Sequence, residues 1–141
     1  MNRKIVSLFA VLLPLLLVGC SNHVSLSGQV SYSDDGTPLE SGTVIFQPEV
    51  GADKFYARGE IREDGKFILA TARPQDGLPP GKYHVFVNAA FRYENNTEIQ
   101  LITNKYTSPD TSELVVDVDR STKTFDFKVD RAPGSKKVPG K

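Results

Sequence analysis

The stretch His23-Val-Ser-Leu-Ser-Gly-Gln-Val-Ser-Tyr32 alternates apolar and polar residues with a period of two. Val24, Leu26, Val30 and Tyr32 share one face, and His23, Ser25, Ser27, Gln29 and Ser31 share the other. That period belongs to a strand with one dry and one wet face. Gly28 sits on the apolar face, where the missing side chain lets another backbone come close or marks a bulge. Asp34-Asp35-Gly36 then predicts a turn, because Asp and Gly accept the dihedrals a turn requires.

The same pattern recurs outward from this strand. Thr43 to Gln47 predicts a second strand with Val44 and Phe46 on one side. Phe55 to Arg62 predicts a third, with Phe55, Ala57, Gly59 and Ile61 opposite Tyr56, Arg58, Glu60 and Arg62. Glu63-Asp64-Gly65 reads as a tight hairpin turn into a fourth strand, Lys66 to Thr71, with Phe67 and Leu69 inward. A Pro- and Gly-rich loop spans residues 73–81. Lys82 to Ala89 follows with Tyr83, Val85, Val87 and Ala89 on one face. Residues 90–111 read as irregular, with room for a short edge strand at Ile99 to Ile102. Glu113 to Val118 and Lys123 to Val129 supply the last two strands. Residues 131–141 read as a disordered polar tail. Short strands with one dry face each must pair those faces, so an all-β single sandwich of about seven strands is expected over residues 23–130.

Ahead of the sandwich stands a different segment. Arg3 and Lys4 precede an uncharged run, Ile5 to Val18, that is shorter than the ~20 apolar residues a membrane-spanning helix needs. It has the proportions of a secretory signal. Leu17-Val18-Gly19-Cys20 resembles the bacterial lipobox at every position. The resemblance implies a cleaved signal helix over residues 1–19, cleavage between Gly19 and Cys20, diacylglyceryl and palmitate-type acylation of Cys20, and a lipidated tether at residues 20–22. Such chains anchor firmly, since each buried methylene adds about 0.8 kcal/mol. Ser21 in place of Asp does not signal inner-membrane retention in a diderm. The expected location is the cell envelope, on a membrane through the lipid of Cys20, outer-membrane or periplasm-facing if the cell is diderm.

Cys20 is the sole cysteine, so no intramolecular disulfide and no Cys-based metal site is expected. Lys plus Arg equal Asp plus Glu at 17 each, and loss of Arg3 and Lys4 leaves the mature chain slightly acidic. No field suited to nucleic acid arises. About 120 mature residues suit one domain.

Several motifs in order carry a family resemblance: Leu26-Ser-Gly28-Gln-Val30, Asp35-Gly36-Thr-Pro38-Leu39, Gly42-Thr-Val44-Ile-Phe46, Gly59-Glu-Ile61-Arg-Glu-Asp64-Gly65-Lys-Phe67-Ile-Leu69, Pro79-Pro80-Gly81-Lys-Tyr83-His-Val85-Phe-Val87, Asn104-Lys105-Tyr106, Thr111-Ser112-Glu-Leu114 and Phe125-Asp-Phe127. Together they resemble the carboxypeptidase regulatory-like, transthyretin-like domain, and more narrowly the small transthyretin-like lipoproteins of planctomycete-type bacteria. The resemblance implies a Greek-key sandwich of the prealbumin type, mostly without known catalysis. On physical grounds Pro80-Gly81 suits a type II turn. Tyr83 can plug the end of the sandwich, with its hydroxyl on a backbone group.

Candidate sites are sparse. Asp34, Asp35 and Asp64 could contribute to a calcium site, but each belongs to a Gly-containing turn, so no metal is expected. No cofactor is expected either. His84 faces outward by period, and no nucleophile motif accompanies it or His23. Against 5-hydroxyisourate hydrolase, the enzyme on the transthyretin scaffold, the chain lacks the Tyr-Arg-Gly-Ser ending and closes on Val-Pro-Gly-Lys. The chain is read as no enzyme. Tyr56, Ile68, Phe86 and Val115 are apolar on outward faces, either a partner patch or positions covered by residues 90–111, and covering is the favoured reading. Tyr93, Asn95, Asn96 and Asn104 suit sugar binding, although a solvated loop explains them more simply. The expected function is therefore a membrane-anchored, non-catalytic binding or structural module, with an envelope protein or glycan as partner. A small-ligand hydrolase or a glycan-binding module is the alternative.

Overall fold

Alternating segments become strands in the computed structural model, which describes residues 23–50, 56–73 and 76–135. The expected signal segment, Cys20, Phe55 and the tail lysines Lys136, Lys137 and Lys141 lie outside the described residues. The strands are β1 (Ser27–Tyr32), β2 (Thr43–Pro48), β3 (Ala57–Glu60), β4 (Lys66–Ile68), β5 (Gly81–Asn88), β6 (Phe91–Glu94), β7 (Thr97–Gln100), β8 (Val115–Val118) and β9 (Phe127–Val129). One sheet has the order β4-β1-β9, with β4 antiparallel and β9 parallel to β1. The other has the order β3-β2-β5-β8 and is antiparallel throughout. The chain passes between the sheets after β1, β3, β4 and β8, which makes a Greek-key sandwich of seven strands with β6 and β7 outside it.

The predicted inward residues fill the space between the sheets. Leu26, Val30, Leu39, Val44, Phe46, Leu69, Val85 and Val87 are fully buried, joined by Ile61, Phe67, Tyr83 and Val118. Phe46 is the hub of the aromatic contacts, 6.4 Å from Phe67, 6.1 Å from Tyr83 and 5.8 Å from Phe125 by ring centroid. Phe127 joins through Phe67 at 6.2 Å and Phe125 at 5.5 Å. Gly28 does what its place on the apolar face suggested: a Cβ there would stand 2.0 Å from the carbonyl oxygen of Phe125 and 2.7 Å from the Phe67 ring.

The two ends of the sandwich are distinct. At the near end, Val24 and Leu78 exchange backbone hydrogen bonds of 2.7 and 3.0 Å just after the chain enters the fold. The same end holds the start of β5, where the Tyr83 hydroxyl donates to the Pro79 carbonyl at 2.6 Å, as its position predicted. Burial pushes that phenol up to about 12. At the far end lie the Asp34-Asp35-Gly36 turn, the end of β5 and the β6–β7 hairpin.

Four expectations need correction. Residues 90–111 are not simply irregular: Asn95 and Asn96, at φ 50° and 62°, form the two-residue loop of a hairpin that pairs Phe91 with Gln100 and Glu94 with Thr97. Two positive φ values in succession are the type I′ requirement, which Asn meets. The edge strand expected at Ile99 to Ile102 is β7, and it pairs with β6 rather than with a main sheet. The turn at Glu63-Asp64-Gly65 forms, with Gly65 at φ 76°, but it delivers β4 to the opposite sheet from β3. The Arg58–Ala70 bridge and the Arg62 N–H bond to the Lys66 carbonyl tie the two arms of this turn. Pro80-Gly81 does not make the expected type II turn, because Gly81 takes φ 155° and opens β5 directly. Finally, Arg131, Ala132 and Ser135 belong to the fold, not to a disordered tail. Arg131 bridges to Ile102, the Ala132 N–H donates to Leu101, and Ala132 and Ser135 are buried.

One carboxylate ties residues 71–73 to Asp76. Asp76 accepts the backbone N–H groups of Thr71 (2.6 Å), Ala72 (2.9 Å) and Arg73 (2.9 Å), and the Thr71 hydroxyl. Those donors, the Thr71 N–H foremost, hold its carboxyl well below the usual carboxylate range. A depressed folded pKa contributes stability that is complete above the unfolded value of about 3.9 and fades as pH falls below it. Melting temperature should therefore drop as pH is lowered from 4 toward 2, and Asp76→Asn should flatten that drop when melting curves are compared across the range. Gly28→Ala should cost about 3 kcal/mol in a denaturant titration, the upper range for overpacking, because the atom it meets is backbone and cannot swing aside.

Candidate functional site

The residues singled out as an outward apolar patch do not form one surface. Tyr56 precedes β3 and is 43% exposed, and Val115 is 42% exposed on β8. Between them on the same sheet stand β2 and β5, whose Gln47 and His84 are paired in register, with His84 also opposite Val115. Three strand spacings separate Tyr56 from Val115, about 14 Å. Ile68 belongs to the other sheet. Phe86 is buried, 7% exposed, yet lies outside the cluster between the sheets. Of the four, Phe86 alone is buried.

The carboxylates weighed for calcium are engaged by the chain's own donors. Asp64 accepts the Lys66 N–H at 3.1 Å and pairs with the Lys66 ammonium. Asp35 accepts the Thr37 N–H at 2.9 Å and the Thr37 hydroxyl at 2.6 Å. Asp34 and Asp35 both receive Arg131: Nε to Asp34 at 3.0 Å and Nη2 to Asp35 at 3.3 Å. Nη2 also donates to Thr37 Oγ1, and the guanidinium lies 3.6 Å over the Tyr32 ring. The neighbouring Asp130 accepts from the hydroxyls of Ser33 and Tyr106, which hold its carboxyl below the ordinary range. Among the described residues no three His, Cys, Asp or Glu side chains gather as a metal site.

The far end offers a different chemistry. The back of the β6–β7 hairpin is pinned to the domain: Arg92 pairs with Glu40 at 3.0 Å and with Glu94 at 2.8 Å. Its front carries Phe91 and Tyr93, two residues apart and so on one face, and Tyr93 is 71% exposed. The Tyr93 hydroxyl donates to Glu98 at 2.7 Å, its cross-strand partner, and that bond raises the phenol's pKa. At the foot of the hairpin a cavity of about 220 Å³ is lined by Asn88, Ala89, Ala90, Phe91, Gln100, Ile102, Asn104 and Thr107. Of the four residues read for sugar binding, Tyr93 and Asn104 flank this region, while Asn95 and Asn96 form the hairpin tip. Phe91, Gln100 and Asn88 were missed. Nothing in their local pattern marks them, because only the hairpin pairing brings them together.

Comparison with known proteins adds the fold. No family model matches the chain, and no curated protein matches it. Among solved structures it is similar to BcpA in a D312A form, the major pilin subunit of Bacillus cereus, with 13% identity, 77% of this chain and 30% of that chain covered, and a TM-score of 0.54. The chain thus spans under a third of that pilin. The group B streptococcus pilus 2b backbone protein aligns at 11% identity over 79% of this chain and 42% of its own, with a TM-score of 0.44. A 9R-lipoxygenase from Cyanothece aligns at 18% identity over 76% of this chain and 16% of its own, with a TM-score of 0.37. The pilin likeness at 0.54 bears out the class of fold, a β-sandwich.

Arg131→Ala should lower stability by about 2 kcal/mol, the worth of hydrogen bonds to a charged group. Arg131→Lys should restore only part of it, since an ammonium cannot both fork between two carboxylates and stack on Tyr32. Thermal melting of the two variants checks both statements.

Proposed function

We propose that this chain is a lipid-anchored protein of the cell envelope whose sandwich acts as a non-catalytic binding and structural module. The observation that carries the proposal is the short distance between two features. Cys20 of the lipobox-like sequence lies only four residues before Val24, which is stapled to Leu78 at the near end of the sandwich. Four residue steps reach at most about 14 Å. A lipid on Cys20 would therefore hold the near end against the membrane and turn the far end away from it.

The core supports the family resemblance as well. Leu26, Val30, Leu39, Val44, Phe46, Ile61, Phe67, Leu69, Tyr83, Val85 and Val87, the inward-facing apolar residues of the ordered motifs, all lie between the sheets. The motifs are thus scaffold positions, in line with transthyretin-like lipoproteins that bind or brace rather than catalyse. The hydrolase alternative would have to centre on His84. Its neighbours in register, Gln47 and Val115, supply no nucleophile.

Mass spectrometry of the membrane-extracted protein should show a mature N-terminus at an acylated Cys20. With that thiol occupied, an introduced cysteine is the one free thiol. A fluorophore on Arg73→Cys, in the near-end loop, should be quenched strongly by headgroup-labelled nitroxide lipids in vesicles, and one on Asn96→Cys at the hairpin tip should not. An unmodified Cys20, or equal quenching at both positions, would refute the anchored arrangement.

A further inference from the structure

We infer that the far end carries a binding site for a neutral glycan chain, formed by the front of the β6–β7 hairpin and the cavity at its foot. The inference rests on the anchored reading only for which glycans lie within reach; the site itself stands on its own geometry.

Three observations define the ligand. The cavity lining is uncharged, with three amide side chains, one hydroxyl and accessible apolar surface from Phe91 and Ala89, while on the hairpin front the Glu98 carboxylate accepts the Tyr93 hydroxyl. That composition lacks the opposite charge on which strong phosphate or metal-ion recognition rests. Amides carry donors and an acceptor on one rigid plane, which matches adjacent sugar hydroxyls. Two of these amides are also held in place, because Gln100 Nε2 donates to the Ile102 carbonyl at 2.8 Å and to Asn104 Oδ1 at 2.6 Å. Oε1 of Gln100 and Nδ2 of Asn104 keep free hydrogen-bonding capacity.

The second observation is the aromatic row. Phe91 lies in the cavity wall opposite Gln100, and Tyr93 continues the same face outward, opposite Glu98. Two rings spaced along a strand can each stack on the C–H face of a pyranose, an apolar surface rimmed by hydroxyls, much as aromatic side chains meet other amphipathic partners. A two-stranded ribbon is marginal by itself. Here Arg92 fixes it from behind through Glu40, so the row is presented in a set orientation.

The third is size and strain. At about 220 Å³ the cavity falls below the ~300–1,000 Å³ of sites for drug-sized ligands and suits a single ring, with further rings of a chain along the open aromatic face. Ala89 lines the cavity at φ 53°, a left-handed conformation that costs a non-glycine residue roughly 1–2 kcal/mol. Such strain collects at binding sites, where the surrounding structure enforces it. It turns the chain from β5 into the hairpin, and so creates the cavity.

The test is isothermal titration of the full-length protein in detergent with chitohexaose, cellohexaose and maltohexaose, and with hexagalacturonate as an anionic control. This readout does not require acylation, so failure of the anchor and failure of the site are separable. Sub-millimolar binding of at least one neutral hexasaccharide is expected. Tyr93→Ala and Asn104→Ala should each weaken it by roughly three- to tenfold. Tyr56→Ala, an exposed tyrosine at the near end, should leave it unchanged. Circular dichroism melting confirms that each variant is folded. Absence of heat with all three neutral sugars, tighter binding of the anionic one, or equal affinity in folded Tyr93→Ala and Asn104→Ala would overturn the proposal.

Discussion

The structure depends on how Phe67 is seated. Its ring reaches from the three-stranded sheet to Phe46 on the other, and it can do so because two glycines make room. A Cβ on Gly28 would stand 2.7 Å from that ring, and one on Gly59 would stand 3.2 Å from it. The same two glycines let backbones close in, Gly28 on Phe125 and Gly59 on Ile68. Aromatic packing and close strand approach are thus one constraint. Among the described residues no disulfide assists it, so the sheets are held by apolar burial at about 25 cal/mol per Å² and by the edge and tilted contacts of Phe46, Phe67, Tyr83, Phe125 and Phe127.

With the centre fixed, the two ends are finished by polar means. At the near end, Asp76 gathers three N–H groups and the Val24–Leu78 pair closes the entry. At the far end, Arg131 joins the segment after β9 to the turn after β1 through Asp34, Asp35, Thr37 and the Tyr32 ring. Arg131 is only 12% exposed, so these bonds work in a less screened setting than surface pairs do. The β6–β7 hairpin leaves the sandwich beside this lock and depends on it indirectly, since Ala132 bonds Leu101 immediately after β7.

Legibility differed by interaction type. Period two identified each strand of the sandwich because burial acts on every second residue and writes itself into composition. Tyr83 could be assigned a backbone partner because a phenol beside a turn has few others. The hairpin was harder to read: Phe91-Arg92-Tyr93-Glu94 does alternate, but its aromatic residues face away from the space between the sheets, and Asn95-Asn96 was the other local sign. Arg131 was read into the tail because its partners lie some hundred residues earlier, and no periodicity links an arginine to a distant pair of aspartates. Of the sugar-suited residues, Tyr93 and Asn104 were visible by type, but Phe91, Gln100 and Asn88 gain meaning only from the register that puts them around one cavity.

By itself the sequence determined that this is an all-β domain with a definite inward set, and it supplied the Leu17–Cys20 resemblance on which a lipid anchor is proposed. Both are local properties: side-chain alternation and a contiguous recognition motif. Which strands share a sheet, which end of the sandwich Val24 enters, and where amides meet aromatics were decided by tertiary structure alone. Those relations arise from contacts between distant segments, whose energies depend on packing and register rather than on any neighbouring residue.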